Sequence, residues 1–414
     1  MNLSSSENIG WVLGLLGAFL CSIGLVVTTR WHGKFTLDGT AGVQKFHIEP
    51  TPRIGGVAIF LGLMIAWLAS DDALQDVFGP ILIAGLPAFC FGVAEDLTKR
   101  VSVRTRLVAT MASGMLAWAL TGASVTHTGI VGVDFALAWV PFSVLFTAFA
   151  VGGVANSVNI IDGFNGLAGG TVTICLVALG LIAQNCGDVE LAKLCFIVGA
   201  VTVGFLMVNF PFGKLFLGDG GAYLLGFILA WLAVTLAYRN PGVSAWAPLL
   251  ACAYPIFETV FTIARRVWAR THPGQPDSHH LHSLINVAVS ARLFPNARAD
   301  LRNASVSPIS WTIAAIPAAF SVQFASRNSA LALCGLFSFM IYLTCYFLVA
   351  SSSRVRKQKA AIKEDAGAAL PARHGNIIPM IPKAPAPSVS VRSGARRMAS
   401  ERGIAHADRY QEAE

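Results

Sequence analysis

Eleven long apolar runs leave this chain few folds to choose from. They lie near Ile9–Thr28, Ile54–Ser70, Phe78–Ala94, Leu107–Gly122, Leu137–Ala155, Leu167–Gln184, Leu191–Val208, Ala222–Ala237, Ser244–Ala264, Ile309–Phe324 and Ser329–Ala350. Each approaches the roughly 20 apolar residues that cross a bilayer as a helix. Backbone groups in lipid must find partners inside the segment, which favours helices over isolated strands. Of the 414 residues, 55% are hydrophobic and only 13% charged, where a soluble domain has about a quarter charged. The expected fold is an all-α polytopic membrane protein with about 11 transmembrane helices. The tenth run is the weakest, being short and containing Pro317. The opening "MNLSSSEN" lacks a basic n-region, so the first run reads as a span and not as a cleaved signal.

The basic residues orient the spans. Alternate connections, together with the segment after Ala350, hold 27 of the 30 Lys and Arg residues. The opposite connections hold Lys193, Arg239 and Arg327. Loops rich in Lys and Arg stay cytoplasmic. This predicts an inner-membrane protein with a periplasmic N-terminus and a cytoplasmic C-terminus. Residues 1–350 form the transmembrane domain. Residues 351–414 shift to Ala, Pro, Lys and Arg without periodicity, the mark of a disordered basic cytoplasmic tail. The net charge of +8 suits anionic membrane lipids, and no nucleic-acid motif accompanies it. The eight Cys lie in or beside apolar runs without CxxC spacing and read as small hydrophobes.

The unusual polar stretches all fall on the cytoplasmic side. "NSVNIIDGFNGLAGG", Asn156 to Gly170, spaces Asn156, Asn159 and Asp162 by three, on one face if helical. Its glycines let backbone approach a ligand closely; a plain Gly-rich turn would not need the spaced amides and acid. "AEDLTKRVSVRTR", Ala94 to Arg106, opens on Glu95 and Asp96. Adjacent carboxylates can hold a cation or take a proton, or can simply be solvated at a helix end. Lys99, Arg100, Arg104 and Arg106 suit phosphate, or serve the topology signal alone. "NFPFGKLFLGDGGAY", Asn209 to Tyr223, sets Asp219 on a Gly-rich turn, either to reach Mg²⁺ carrying phosphates or to cap a helix. "PGQPDSHHLHSLI", Pro273 to Ile285, offers Asp277, His279, His280 and His282. No Cys or further His stands at finger or zincin spacing, which discounts zinc; imidazoles can also donate to a diphosphate. Glu258, inside the ninth run, is expected to be paired.

Taken in order, these stretches resemble the polyprenyl-phosphate N-acetylhexosamine-1-phosphate transferase family, in glycosyltransferase family 4. The matching series is a "TPRIGG" loop, an acidic pair after the third span, an NxxNxxDGxxGL stretch, an N-then-GDxG stretch and a late HxH loop. The likeness runs from Gln44 to about Ile285 and is closest to the undecaprenyl-phosphate N-acetylglucosamine-1-phosphate transferase branch. The resemblance implies an active site on cytoplasmic loops. There a sugar 1-phosphate passes from a UDP-N-acetylhexosamine to undecaprenyl phosphate, releasing UMP and starting a lipid-linked O-antigen-type polysaccharide. It implies Mg²⁺, with Mn²⁺ as the alternative, and allows a homodimer. Carried over by motif, Asp219 is the metal ligand, and Glu95, Asp96 and Asp162 are catalytic. Lys45, His47, Arg53, Asn156, Asn159, Asn165, Asn209, His280 and His282 bind substrate. The chain departs from the pattern at Glu95, where Asp is usual, at Asn165, where an acid is usual, and at Ala222 and Ser278. A secondary transporter is the competing class, but transporters gather polar residues near the midplane, often in repeated halves. An inactive relative is the other, and the retained Asp96, Asp162 and Asp219 speak against it. The identity of the sugar stays open.

Overall fold

The computed structural model describes residues 9–38, 50–270, 277 and 279–352. Helix α1 (Ile9–Val27) leads into a short α2 (Thr29–Thr36). Strand β1 (Leu37–Asp38) then pairs antiparallel with β2 (Thr51–Pro52), Leu37 against Pro52 and Asp38 against Thr51. Five helices follow: α3 (Gly55–Leu68), α4 (Asp72–Thr98), α5 (Val103–Thr121), the short α6 (Val131–Leu137) and α7 (Val140–Ile160). Next come α8 (Leu167–Asn185), α9 (Val189–Asn209), α10 (Gly218–Arg239), α11 (Trp246–Ala251) and α12 (Ala253–Trp268). The late loop holds α13 (Leu281–Ile285), a π-helical turn and α14 (Ala291–Leu293). Helices α15 (Ala299–Ala304), α16 (Val306–Gln323) and α17 (Asn328–Ala350) complete the described chain.

This is an all-α polytopic membrane protein. Every apolar run has become helix. Among the described residues, eight helices are long and apolar enough to cross a membrane, α15 and α16 counting as one span, Ala299–Gln323. The other three runs fall short for separate reasons. Helix α3 has 14 residues, about 21 Å at the helical rise. Helix α5 begins with Arg104 and Arg106 in its first turns. The ninth run is broken at Cys252 into α11 and α12. The expected tail and the loop carrying Lys45 and His47 lie outside the described residues.

Helix α10 is the hub. It packs on α3, α4, α7 and α8, and its residues from Gly218 to Leu232 are buried without a gap. A helix apolar all round belongs in the centre of a bundle. Close approach at its first turn depends on glycine. A Cβ on Gly56 of α3 would lie 2.2 Å from Gly221 N, and one on Gly92 of α4 would lie 2.6 Å from Gly220 Cα. Small residues let membrane helices touch backbone to backbone. Two prolines, Pro80 and Pro87, interrupt the bonding of α4. Ser113 Oγ of α5 accepts from the nearby Ala88 N–H at 3.0 Å, the neighbouring-helix compensation that lipid demands.

Candidate active site

The short β1–β2 ladder continues onto the stretch before α10. Phe216 N–H donates to Pro52 O at 2.9 Å, and Gly55 and Gly56 N–H donate to Phe216 O and Leu217 O at 2.9 and 3.0 Å. This docking carries Arg53 to the start of α10. There Asp219, 1% exposed, accepts from Arg53 Nη2 through one oxygen and from Arg106 Nη1 through the other. Asn159 Nδ2 of α7 adds a third donor at 3.1 Å. Tyr223 OH donates to Asn159 Oδ1 at 3.2 Å, fixing the amide so that its nitrogen faces Asp219.

Asp96 lies just beneath. Its Oδ1 accepts from Asp219 N–H at 2.9 Å and its Oδ2 from Gly220 N–H at 2.8 Å. The first amides of a helix have no partner within it, so Asp96 caps α10 from α4. The positive end of the helix also favours an acceptor there. Asp96 is buried and does not line the cavity above. Glu95 turns away, its Oε2 accepting from Val101 N–H at 2.7 Å.

The cavity has a volume of about 540 Å³, within the range of ligand sites. Asn156, Asn159 and Asp162 from the end of α7 line it, as their spacing predicts. Asn165, Asn209, Arg53, Arg106, Asp219 and Tyr223 line it too. The far side comes from α12 and the late loop: Thr262, Arg266, Asp277, His280 and His282. Of the basic cluster after α4, Arg106 alone reaches the lining. Asn209 is also a brace. Its Oδ1 accepts from Gly166 N–H at 2.6 Å and its Nδ2 donates to Leu215 O at 2.8 Å. Gly166 sits at φ +80°, the left-handed region that favours glycine. That geometry turns the chain from Asp162 into α8.

Burial pushes the Asp162 carboxyl up to about 7, and the charges of Asp219 and Asp96 push the same way against Arg53. Burial lowers the Arg53 pKa less than Asp219, Asp96 and Asp162 raise it, so its guanidinium is held above its ordinary value. Burial opposes ionisation of Asp277, but bonds from His279 and Arg265 hold it below the usual carboxylate range. Burial pushes the His282 imidazole down to about 4, keeping it neutral near pH 7.

Two groups can hold a cation. Asp162 and Asp219 offer hard carboxylate oxygens on one cavity, and that donor set fits Mg²⁺. Glu258 of α12, fully buried, meets His280 and His282 in a cluster whose ligand atoms lie within 4.8 Å of one another. Glu258 is therefore paired, as its position in an apolar run requires. Its partners are the late-loop imidazoles and Tyr342 OH at 2.5 Å. The sequence motifs point to neither Tyr223, Arg266 nor Asn303 as cavity residues.

The fold and site define a polytopic membrane protein that gathers acids, arginines, amides and imidazoles around one cavity at one set of helix ends. A glycosyl transferase family 4 model matches residues 78–237 of this chain. A probable undecaprenyl-phosphate N-acetylglucosaminyl 1-phosphate transferase of Bacillus subtilis is 29% identical over 242 residues, 58% of this chain and 66% of the relative. The undecaprenyl-phosphate alpha-N-acetylglucosaminyl 1-phosphate transferase of Yersinia pestis is 27% identical over 277 residues, 66% of this chain and 75% of the relative. That of Salmonella typhi is 29% identical over 260 residues, 61% and 70% of the two chains. The chain thus spans just under two thirds of the Bacillus relative.

Proposed function

We propose that this protein transfers an N-acetylhexosamine 1-phosphate from a UDP-sugar to undecaprenyl phosphate, releasing UMP, at the cytoplasmic face of the inner membrane. The product would start a lipid-linked surface polysaccharide of the O-antigen type. One observation carries the reading: Arg53, Arg106, Asn159, Asp162, Asp219, His280 and His282 meet around one cavity, although the sequence scatters them. The names of the relatives supply the chemistry.

Both substrates carry phosphate, so charge repulsion is the first obstacle. Arg53, Arg106 and Arg266 offer planar donors suited to phosphate oxygens. The amides of Asn156 and Asn159 and the imidazoles of His280 and His282 orient the donor. Val103 and Ile263 are exposed yet also line the cavity, giving an apolar lip where a lipid chain can leave. In the reaction, an oxygen of the lipid phosphate attacks the sugar-bearing phosphorus. The bond to the uridine-bearing phosphate breaks, and UMP departs. Charge is spread over the transferring group, so stabilisation and alignment do most of the work. Asp219 and Asp162 would hold Mg²⁺, or Mn²⁺, which when bound neutralises phosphate charge. Asp96 acts by fixing the amides that set Asp219.

The test is direct. Purified protein is incubated with undecaprenyl phosphate, Mg²⁺ and a panel of UDP-sugars, and UMP and the lipid diphosphate are assayed. Turnover with one N-acetylhexosamine donor is expected, falling on the order of 100-fold or more in Asp219→Asn. Absence of lipid product with every donor would refute the assignment. Near-normal Mg²⁺-dependent turnover in the variant would remove Asp219 from the metal site.

A further inference from the structure

We propose that Glu258, His280 and His282 form a second, separate cation site on this cavity, suited to Zn²⁺ or a neighbouring first-row ion and not to Mg²⁺. Ligand spacing in the sequence hides it, because the third ligand lies upstream in α12. The three ligand atoms lie within 4.8 Å of one another, and two of the separations are those of a coordination shell. His280 Nδ1 and His282 Nδ1 each stand 3.4 Å from the same oxygen, Glu258 Oε1. Bonds of zinc to imidazole and carboxylate, arranged tetrahedrally, set neighbouring ligand atoms about 3.3 Å apart. The two rings are parallel within 3°, with centroids 5.1 Å apart, and both turn Nδ1 to that oxygen.

The second observation is an orphan. His282 is 3% exposed, yet among the described residues its Nδ1 has no hydrogen-bond partner. Buried polar atoms are almost always satisfied. Were Glu258 simply orienting two imidazoles, this nitrogen would donate to it at ordinary distance, as Leu281 N–H does at 2.7 Å.

Outer partners are present as well. Tyr342 OH holds Glu258 Oε2 at 2.5 Å. On the far side of His280, Nε2 lies 4.0 Å from Asp277 Oδ2. Metal-binding imidazoles commonly set their other nitrogen toward a carboxylate. Three protein ligands leave a position for an outside ligand, and both His280 and His282 line the cavity. An anionic oxygen such as a phosphate's suits it. Nitrogen-rich ligand sets select Zn²⁺ and its neighbours over Mg²⁺.

The site can be tested without the reaction. Tag-free full-length protein in detergent is stripped with chelator and titrated with Co²⁺ in excess Mg²⁺, following visible absorption. One saturable Co²⁺ per chain is expected, displaced by Zn²⁺. Glu258→Gln, His280→Ala and His282→Ala should each weaken it at least about tenfold, while Asp219→Asn should leave it unchanged. His282→Asn stands in if the Ala variant elutes abnormally. No Co²⁺ signal in the wild type, a signal that survives these substitutions, or one abolished by Asp219→Asn would overturn the proposal. Transfer activity has no part in that outcome, so failure here and failure of the transferase reading are distinguishable.

Discussion

Asn165 stands where the motif of the family that this chain resembles carries an acid, and its surroundings favour the amide. Its Nδ2 donates to Pro211 O at 3.0 Å, its own N–H donates to Asn303 Oδ1 at 2.8 Å, and its carbonyl accepts from Ser307 Oγ at 2.6 Å. A carboxylate here would set negative charge against a carbonyl inside a buried turn. Asn165→Asp should therefore cost on the order of 1–3 kcal/mol of stability, with turnover falling as the turn carrying Asp162 loosens. Thermal unfolding of the purified variant checks this; an unchanged midpoint would mean that the turn adapts. At this scale the motifs are a good guide to Asn156, Asn159, Asp162 and Asp219, which do share a cavity. They are a poorer guide to Asp96. Its two oxygens are both occupied by backbone amides 123 and 124 residues away, and no local pattern encodes such a contact. Glu258 is legible as a paired acid but not in its partners, because His280 comes from a separate loop.

At the scale of elements, apolar length is legible and its breaks are not. The ninth run reads as one continuous span, yet the chain breaks at Cys252. The break sends the polar face of α12, with Glu258, Thr262 and Arg266, toward the late loop and cavity. Helix α2 has no apolar run to announce it. It is short, and its exposed Trp31 and Phe35 lie beside Arg30 and Lys34 at 4.9 and 5.8 Å. That combination belongs at a lipid headgroup boundary. Gly56 of "IGG" and Gly221 of "GDGG" make room for each other. A methyl group on Gly56 meets backbone that cannot swing aside. Gly56→Ala should cost roughly 1–3 kcal/mol through overpacking and move Asp219 relative to Arg53. A lowered unfolding midpoint together with reduced turnover is expected; wild-type values for both would show that α3 can slide.

For the whole molecule, the cavity lies where α4, α7 and α9 end and where α3, α5, α8 and α10 begin. These ends lie on the side of the basic connections, which together with the segment after Ala350 hold 27 of the 30 Lys and Arg. Under the proposed function, orientation and chemistry are tied together: the side that the basic loops occupy is the side from which a soluble nucleotide-sugar would arrive. The division of 27 basic residues against 3 supports the proposal that this side is cytoplasmic. The same proposal expects the segment after Ala350 on that side, with the span Ala299–Gln323 crossing fully despite Pro317. A reporter active only in the periplasm, fused after Ser353, should stay silent, and one fused after Asp188 should be active. The reverse pattern would turn the whole bundle over and leave the cavity facing a compartment without nucleotide-sugars. Truncation tests the C-terminal segment in turn. Its composition offers no apolar face to pack. Deletion from Lys363 onward should leave transfer activity largely intact. Loss of turnover in a truncated protein that still inserts normally would make that segment part of the site.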